Sequence, residues 1–231
     1  MAPRYAIYYA PEPGSALEAF GNRWLGRDAA SGEPVPQEDL PGLSAQKLAE
    51  ITQAPRRYGF HGTLKPPFRL AAGQTAGALR QAVAAFAATR IGFDMPPLRL
   101  AVLGRFLALV PSEPCPALDA LAADCVRAFD SFRAPADAAE LERRRRDGLS
   151  ERQDRLLRLW GYPYVLEEFR FHLTLTGPLP DEGTREAVRA ALDPLVAPLC
   201  REPVPVRSLC LFAQADVAAP FRIAARYALD G

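Results

Sequence analysis

Tyr58-Gly59-Phe60-His61-Gly62-Thr63-Leu64-Lys65 and Phe169-Arg170-Phe171-His172-Leu173-Thr174-Leu175-Thr176 are the stretches that decide the fold. Each sets His-x-Thr-Leu in a short strand-like run, and the chain has no third histidine. In extended chain, residues i and i+2 share a face. His61 and Thr63 therefore project together, with Arg57 and Lys65 on their side and Tyr58, Phe60 and Leu64 on the other. In the second stretch Arg170, His172, Thr174 and Thr176 share a side, opposite Phe169, Phe171, Leu173 and Leu175. The apolar faces suit a core. Packing does not ask for imidazole, hydroxyl and cation on the opposite faces, so those are read as functional, with Lys65 and Arg170 as candidate phosphate contacts.

Working outward, the order of elements repeats. Pro66-Pro67 closes the first run, and residues 75–89 carry Leu79, Val83 and Phe86 at helical spacing. Residues 98–102 and 106–110 read as strands around Gly104. Gly177-Pro178 closes the second run, 184–195 is the matching helix, and 206–212 and 221–227 read as strands. Strand–helix–strand–strand thus occurs twice, in repeat cores of about 56–112 and 167–229. A strand is expected at 4–9, helices at 14–25 and 117–132, and a surface loop at 29–43. A helical insertion spans about 135–165, with one longer helix predicted over 137–160. It bears Glu142-Arg143-Arg144-Arg145-Arg146, read as a solvated face or as an anion-gathering lid over a cleft.

The 231 residues are 49% hydrophobic and 24% charged, an ordinary globular balance. With 28 Lys+Arg against 27 Asp+Glu, the net charge is +1. No global basic field exists to hold long nucleic acid, so an anion site must be local. No apolar stretch approaches the ~20 residues that span a membrane. The run Met1-Ala-Pro-Arg-Tyr-Ala-Ile lacks the pattern of a signal peptide, so a cytoplasmic protein without membrane contact is expected. Cys115, Cys125, Cys200 and Cys210 form no C-x-x-C and stand far from both histidines. They are expected to be reduced and mostly buried, and neither a metal site nor a cofactor is expected.

With its two His-x-Thr motifs, the chain resembles the 2H phosphoesterase superfamily. More closely, it resembles a bacterial branch encoded with phosphonate-utilisation genes. The segments that carry this likeness are Arg4-Tyr-Ala-Ile-Tyr-Tyr-Ala-Pro11, Trp24-Leu-Gly-Arg-Asp28, Tyr58 to Phe68, Phe132-Arg-Ala-Pro135, Trp160-Gly-Tyr-Pro-Tyr164 and Phe169 to Gly177. The resemblance implies a single bilobal α+β domain over residues 1–231. Two antiparallel sheets with helices outside would be related by a pseudo-two-fold around a central cleft, with the motif strands side by side on its floor. It implies that His61 and His172 are the catalytic pair and that Thr63 and Thr174 bind phosphate. The middle positions, Gly62 and Leu173, vary in the pattern.

Diester hydrolysis needs an activated water, a protonated leaving oxygen and relief of charge on the phosphoryl oxygens. An imidazole titrates near 6.5, so one ring can be base while the other is acid, without a metal. The pattern leaves open which is which. Lys65 or Arg170 would assist the threonines, and Lys65 and Tyr162 are reserve acid–base groups. The expected partner is a small cyclic or diester phosphate or a short nucleotide. The branch's genes point to a ribose cyclic phosphate. An RNA-end 2′,3′-cyclic phosphate and a non-catalytic nucleotide-binding protein are the alternatives. Nothing in the pattern specifies an oligomeric state.

Overall fold

The structure, a computed structural model, describes residues 2–37, 40–146 and 148–230. Glu38 and Asp39 of the expected loop, Asp147 of the expected insertion, and the terminal Met1 and Gly231 lie outside them. In chain order the elements are β1 (Arg4–Tyr9), α1 (Ala16–Leu25), α2 (Ala45–Arg56), β2 (Gly62–Arg69), α3 (Ala76–Ala87), β3 (Phe93–Met95), β4 (Leu98–Leu103) and β5 (Phe106–Pro111). Then follow α4 (Pro116–Ala128), α5 (Ala138–Arg145), α6 (Glu151–Trp160), β6 (Leu173–Thr174), α7 (Glu182–Val196), β7 (Val204–Val206), β8 (Ser208–Gln214) and β9 (Arg222–Ala228). Side chains of Ser15, Ser44, Thr75, Asp137, Ser150 and Asp181 each accept from a backbone N–H three residues on. These caps satisfy donors that a helix start otherwise leaves open.

The fold is α+β with antiparallel pairing throughout. Seven strands form one sheet in the order β4-β5-β6-β2-β1-β8-β9, and β3 pairs with β7 in a separate ribbon. The two sheets expected from the sequence are therefore halves of one. They are joined where β2 meets β6, at the pair Gly62–Leu173. The sheet order is symmetric about that pair when β1 is matched with β5, β2 with β6 and β4 with β8, leaving β9 without a counterpart. So the repeat that the sheet expresses begins one strand before each motif, not at it. The hydrophobic pattern of a strand does not reveal its neighbour, so this register is not legible in the sequence.

Helix α4 packs on β2, α3 on β8 and β9, and α7 on β4 and β5. Under them Ile7, Tyr9, Leu107, Leu109, Leu173, Leu175, Leu209 and Leu211 are buried with Leu79, Val83, Leu121, Cys125, Val188 and Leu192. Each such aliphatic side chain contributes about 1.5–3 kcal/mol by leaving water. A smaller cluster of Ala6, Tyr8, Cys210, Phe212 and Phe221 lies on the opposite face. All four cysteines are free thiols, Cys125 and Cys210 buried and Cys115 and Cys200 half-buried.

Three local expectations change. The helix predicted over 137–160 is two, α5 and α6. Gly148 has φ +77°, and Ser150 with Gln153 forms a capping box that starts a new helix. Strand β2 runs through Pro66-Pro67 rather than stopping at them. Its pairing with β1 shifts there, two residues opposing Ala6, so the missing proline N–H groups fall where the ladder is interrupted. The strand expected at 206–212 is divided into β7 and β8.

Candidate active site

The turn from α2 into β2 sets the first histidine. Gly59 has φ +79°, a conformation open to glycine, and a Cβ there would lie 2.6 Å from that of Ala29. Buried Arg27 pins the turn by donating to the carbonyls of Arg56 (2.9 Å) and Phe221 (2.8 Å). The second motif is held by its backbone. Trp24 Nε1 donates to Leu175 O (2.8 Å), the Leu107 N–H donates to Thr176 Oγ1 (3.0 Å), and Gly177 N donates to Ile51 O (2.7 Å).

The imidazoles are oriented alike. His61 Nδ1 lies 2.8 Å from Gly59 O, and His172 Nδ1 lies 2.8 Å from Arg170 O. A carbonyl can only accept, so Nδ1 carries the proton in each neutral ring and Nε2 is left for chemistry. Thr63 Oγ1 is 3.3 Å from His61 Nε2. Gly62 pairs with Leu173 in an antiparallel ladder, so continuing that register sets His61 opposite Thr174 and Thr63 opposite His172. Cβ atoms of such opposed residues lie about 4.5–5.5 Å apart. His61 and Thr174 indeed line the same cleft, where the two motifs meet.

Burial sets the charge state of these rings. His61 stacks on Tyr8, with centroids 3.8 Å apart, and desolvation pushes it down to about 4; the Gly59 carbonyl opposes the shift and nearby His172 adds to it. His172 lies against Phe106 and is lowered by burial, with the Arg170 carbonyl opposing. Tyr8 is held far above the usual phenol range, chiefly by burial.

A cleft of about 410 Å³ opens over His61, Thr63 and Thr174; His172, against Phe106 at its wall, is not itself among the lining residues. His61, Thr63 and Thr174 line it, with Tyr8, Tyr58, Tyr162, Phe106, Arg4 and Arg144. Both cations expected at the phosphate lie elsewhere. The ladder has Tyr8 opposite Thr63 but Ile7 opposite Lys65, so Leu64 is an extra residue in β2. This bulge breaks the alternation and turns Lys65 to the core face. There its ammonium is 1% exposed and donates to Val126 O (2.9 Å) and Asp130 Oδ1 (3.4 Å). Arg170 is exposed and lines a separate depression with Arg99 and Asp119; only its carbonyl serves the site. Arg4 and Arg144 stand in the cleft instead. Arg4 shares the even-numbered face of β1 with Tyr8, a spacing legible in sequence. Arg144 belongs to the basic run, for which the sequence left a solvated face and an anion-gathering lid open. Among the described residues, no group of three or more His, Cys, Asp or Glu could hold a metal ion.

The new position of Lys65 has a measurable consequence. Burial pushes its ammonium down to about 8, against the pull of Asp130. From there to the unfolded value near 10.4, the unfolded chain binds more protons, so wild-type stability rises with pH across that window. Lys65→Met should remove a rise of roughly 3 kcal/mol while retaining turnover. Denaturant unfolding of both proteins at pH 7.5 and 10.5 reads it. Parallel pH dependences would contradict this placement of the amine.

Residues 63–222 match the family described as "Protein of unknown function (DUF1045)". Two curated relatives share the name ribose 1,5-bisphosphate phosphokinase PhnN. That of Janthinobacterium sp. (strain Marseille) is 40% identical over 94% of this chain and 49% of its own length. That of Laribacter hongkongensis (strain HLHK9) is 36% identical over 95% of this chain and 50% of its own. The chain spans about half the length of the curated relatives it matches. Among solved structures, E. coli LigT complexed with 3′-AMP overlays at a TM-score of 0.46, with 15% identity and 100% of both chains covered. An overlay that loose carries no equivalence between residues. No helix among the described residues is long and apolar enough to cross a membrane.

Proposed function

The chain belongs to the DUF1045 family, and from that premise we propose that it is a metal-independent 2H-type phosphoesterase acting on a small cyclic or diester phosphate. The observation that carries this reading is the paired geometry: two imidazoles with Nδ1 tied to a carbonyl two residues back, in motifs that meet at the pair Gly62–Leu173. The halves work as one bilobal unit because the cleft is shared.

The environments divide the roles. Burial lowers both rings, and His61, stacked on Tyr8 and pushed down to about 4, is the one we assign the neutral role, with His172 as the proton carrier. His61 Nε2 takes a proton from the attacking water, and His172 Nε2–H gives one to the departing oxygen. Thr63 and Thr174 donate to the non-bridging oxygens. Each such bond to a charged acceptor is worth about 1.5–3 kcal/mol.

The relatives bear on the substrate. This chain contains no Gly-x-x-x-x-Gly-Lys-Ser/Thr loop to cradle a nucleotide's phosphates. We therefore assign the kinase of their name to the half that this chain does not match. A half joined to a ribose bisphosphate kinase favours a phosphorylated ribose here, and a ribose cyclic phosphate ahead of an RNA end.

The test is the pH dependence of turnover on cyclic phosphates with excess EDTA present. The base limb of the bell in kcat/KM belongs to His61 and the acid limb to His172, both displaced below 6.5. So kcat/KM should peak on the acid side of 6.5 and decline through neutrality. Bound phosphate favours the charged imidazole and raises its pKa, so the bell in kcat should lie at higher pH. Activity lost to EDTA and restored by zinc or manganese would defeat the proposal, as would a kcat/KM still rising above pH 8.

A further inference from the structure

Arg4 and Arg144 line the same cleft as the histidine–threonine set, and the machinery above uses neither. Arg4 stands four residues from Tyr8 on β1, about 13 Å along the strand. Its Nε donates to Gln214 Oε1 (2.7 Å) and its guanidinium lies 5.3 Å from the Phe221 ring centroid. Among the described residues it makes no ion pair, so its terminal nitrogens carry an uncompensated charge. Arg144 reaches in from α5, held by Glu140 (3.2 Å) and lying 4.9 Å from the Tyr162 ring centroid. Its Nε is buried without a hydrogen-bond partner. Tyr8, Tyr58 and Tyr162 line the same cleft, and among the described residues no aspartate or glutamate lines it.

A single diester phosphate is singly charged, and two threonines and an imidazolium already meet it. Arg4 has no carboxylate partner among the described residues, and Arg144 shares its one partner, Glu140, with Arg69 and Arg143, so the two guanidiniums bring excess positive charge to the cleft. We infer that Arg4 and Arg144 form a second anion subsite, and that the substrate is a small cyclic or diester phosphate bearing a second anionic group, such as a phosphate monoester. This inference rests on the phosphoesterase reading for the first subsite. It also gives the insertion a purpose, since α5 delivers Arg144.

Calorimetric titration of the full chain with adenosine 3′,5′-bisphosphate and with 3′-AMP tests it without requiring turnover. The two probes differ only in the second phosphate. The bisphosphate should bind about tenfold tighter or better, as for a charge-assisted contact. Arg144→Gln and, separately, Arg4→Gln should bring that ratio towards one. Arg144 lies outside the hydrophobic clusters, so its variant tests the idea even if Arg4→Gln, which loses the Gln214 bond, folds poorly. Equal affinities in the wild type, or a preference surviving Arg144→Gln, would overturn the subsite. A bisphosphate preference in a protein that turns over no cyclic phosphate would support the subsite and sink the catalytic reading. Turnover with equal affinities would do the reverse.

Discussion

His61→Ala and His172→Ala should each lower kcat by about 10²–10⁴-fold, the usual worth of a positioned acid or base. Each ring has only Nε2 free, because Nδ1 is bound to a carbonyl. A single ring cannot be base and acid in one turnover, so removing either stops the proton circuit. The double variant should therefore be little slower than the slower single. Both side chains lie off the helix-covered face, so all three proteins should unfold cooperatively near the wild-type temperature. His61→Ala should lose slightly more stability, through its stack on Tyr8. Stopped assays on a cyclic phosphate with matched melting curves provide the measurement. A folded single variant with near-normal kcat would end the paired mechanism, and Tyr162, which lines the cleft, would be the next acid–base group to test.

Gly62→Ala should cost about 1–3 kcal/mol, the range for forcing atoms into a filled core. A Cβ on Gly62 would lie 2.2 Å from Phe171 Cε2 and 2.4 Å from Cζ. That ring is buried and set edge-on to Tyr9, with centroids 5.7 Å apart. Gly62–Leu173 is the pair at which the motif strands meet, so the strain falls where the two histidines are held in register. Activity should fall with stability. Phe171→Leu should relieve the clash, making the double variant more stable than the two single losses predict. Urea unfolding of the four proteins decides it. Wild-type stability in Gly62→Ala would show that the strands part freely. The resemblance implied that this position varies; here its neighbour restricts it.

The sequence disclosed what a strand's own alternation can disclose. His61 and Thr63 share a face as the period of two requires, and Leu173 and Leu175 take the core side. Lys65 escaped because the extra residue at Leu64 appears only once β1 is laid against β2. Arg170 escaped because residues 169–172 run outside the ladder, where alternation no longer fixes direction. Arg4 and Tyr8 were on a strand the pattern found, but its place beside β2 depends on contacts remote in sequence. Arg144 was hidden in a run of four arginines, and only the fold selects among them. Helix α2 went unnoticed because its apolar residues are diluted by polar ones.

Strand β1 occupies an interior place in the sheet, between β2 and β8. Its first edge is covered early, but the second pairs Tyr8 with Cys210. A ribosome adding ~5–20 residues each second needs roughly 10–40 s to make the chain between them. Throughout that interval Ala6-Ile7-Tyr8-Tyr9 presents an open, apolar edge to anything that can add a strand. Folding of this protein is therefore completed from its far end, and the nascent chain depends on whatever shields its first strand until the eighth emerges.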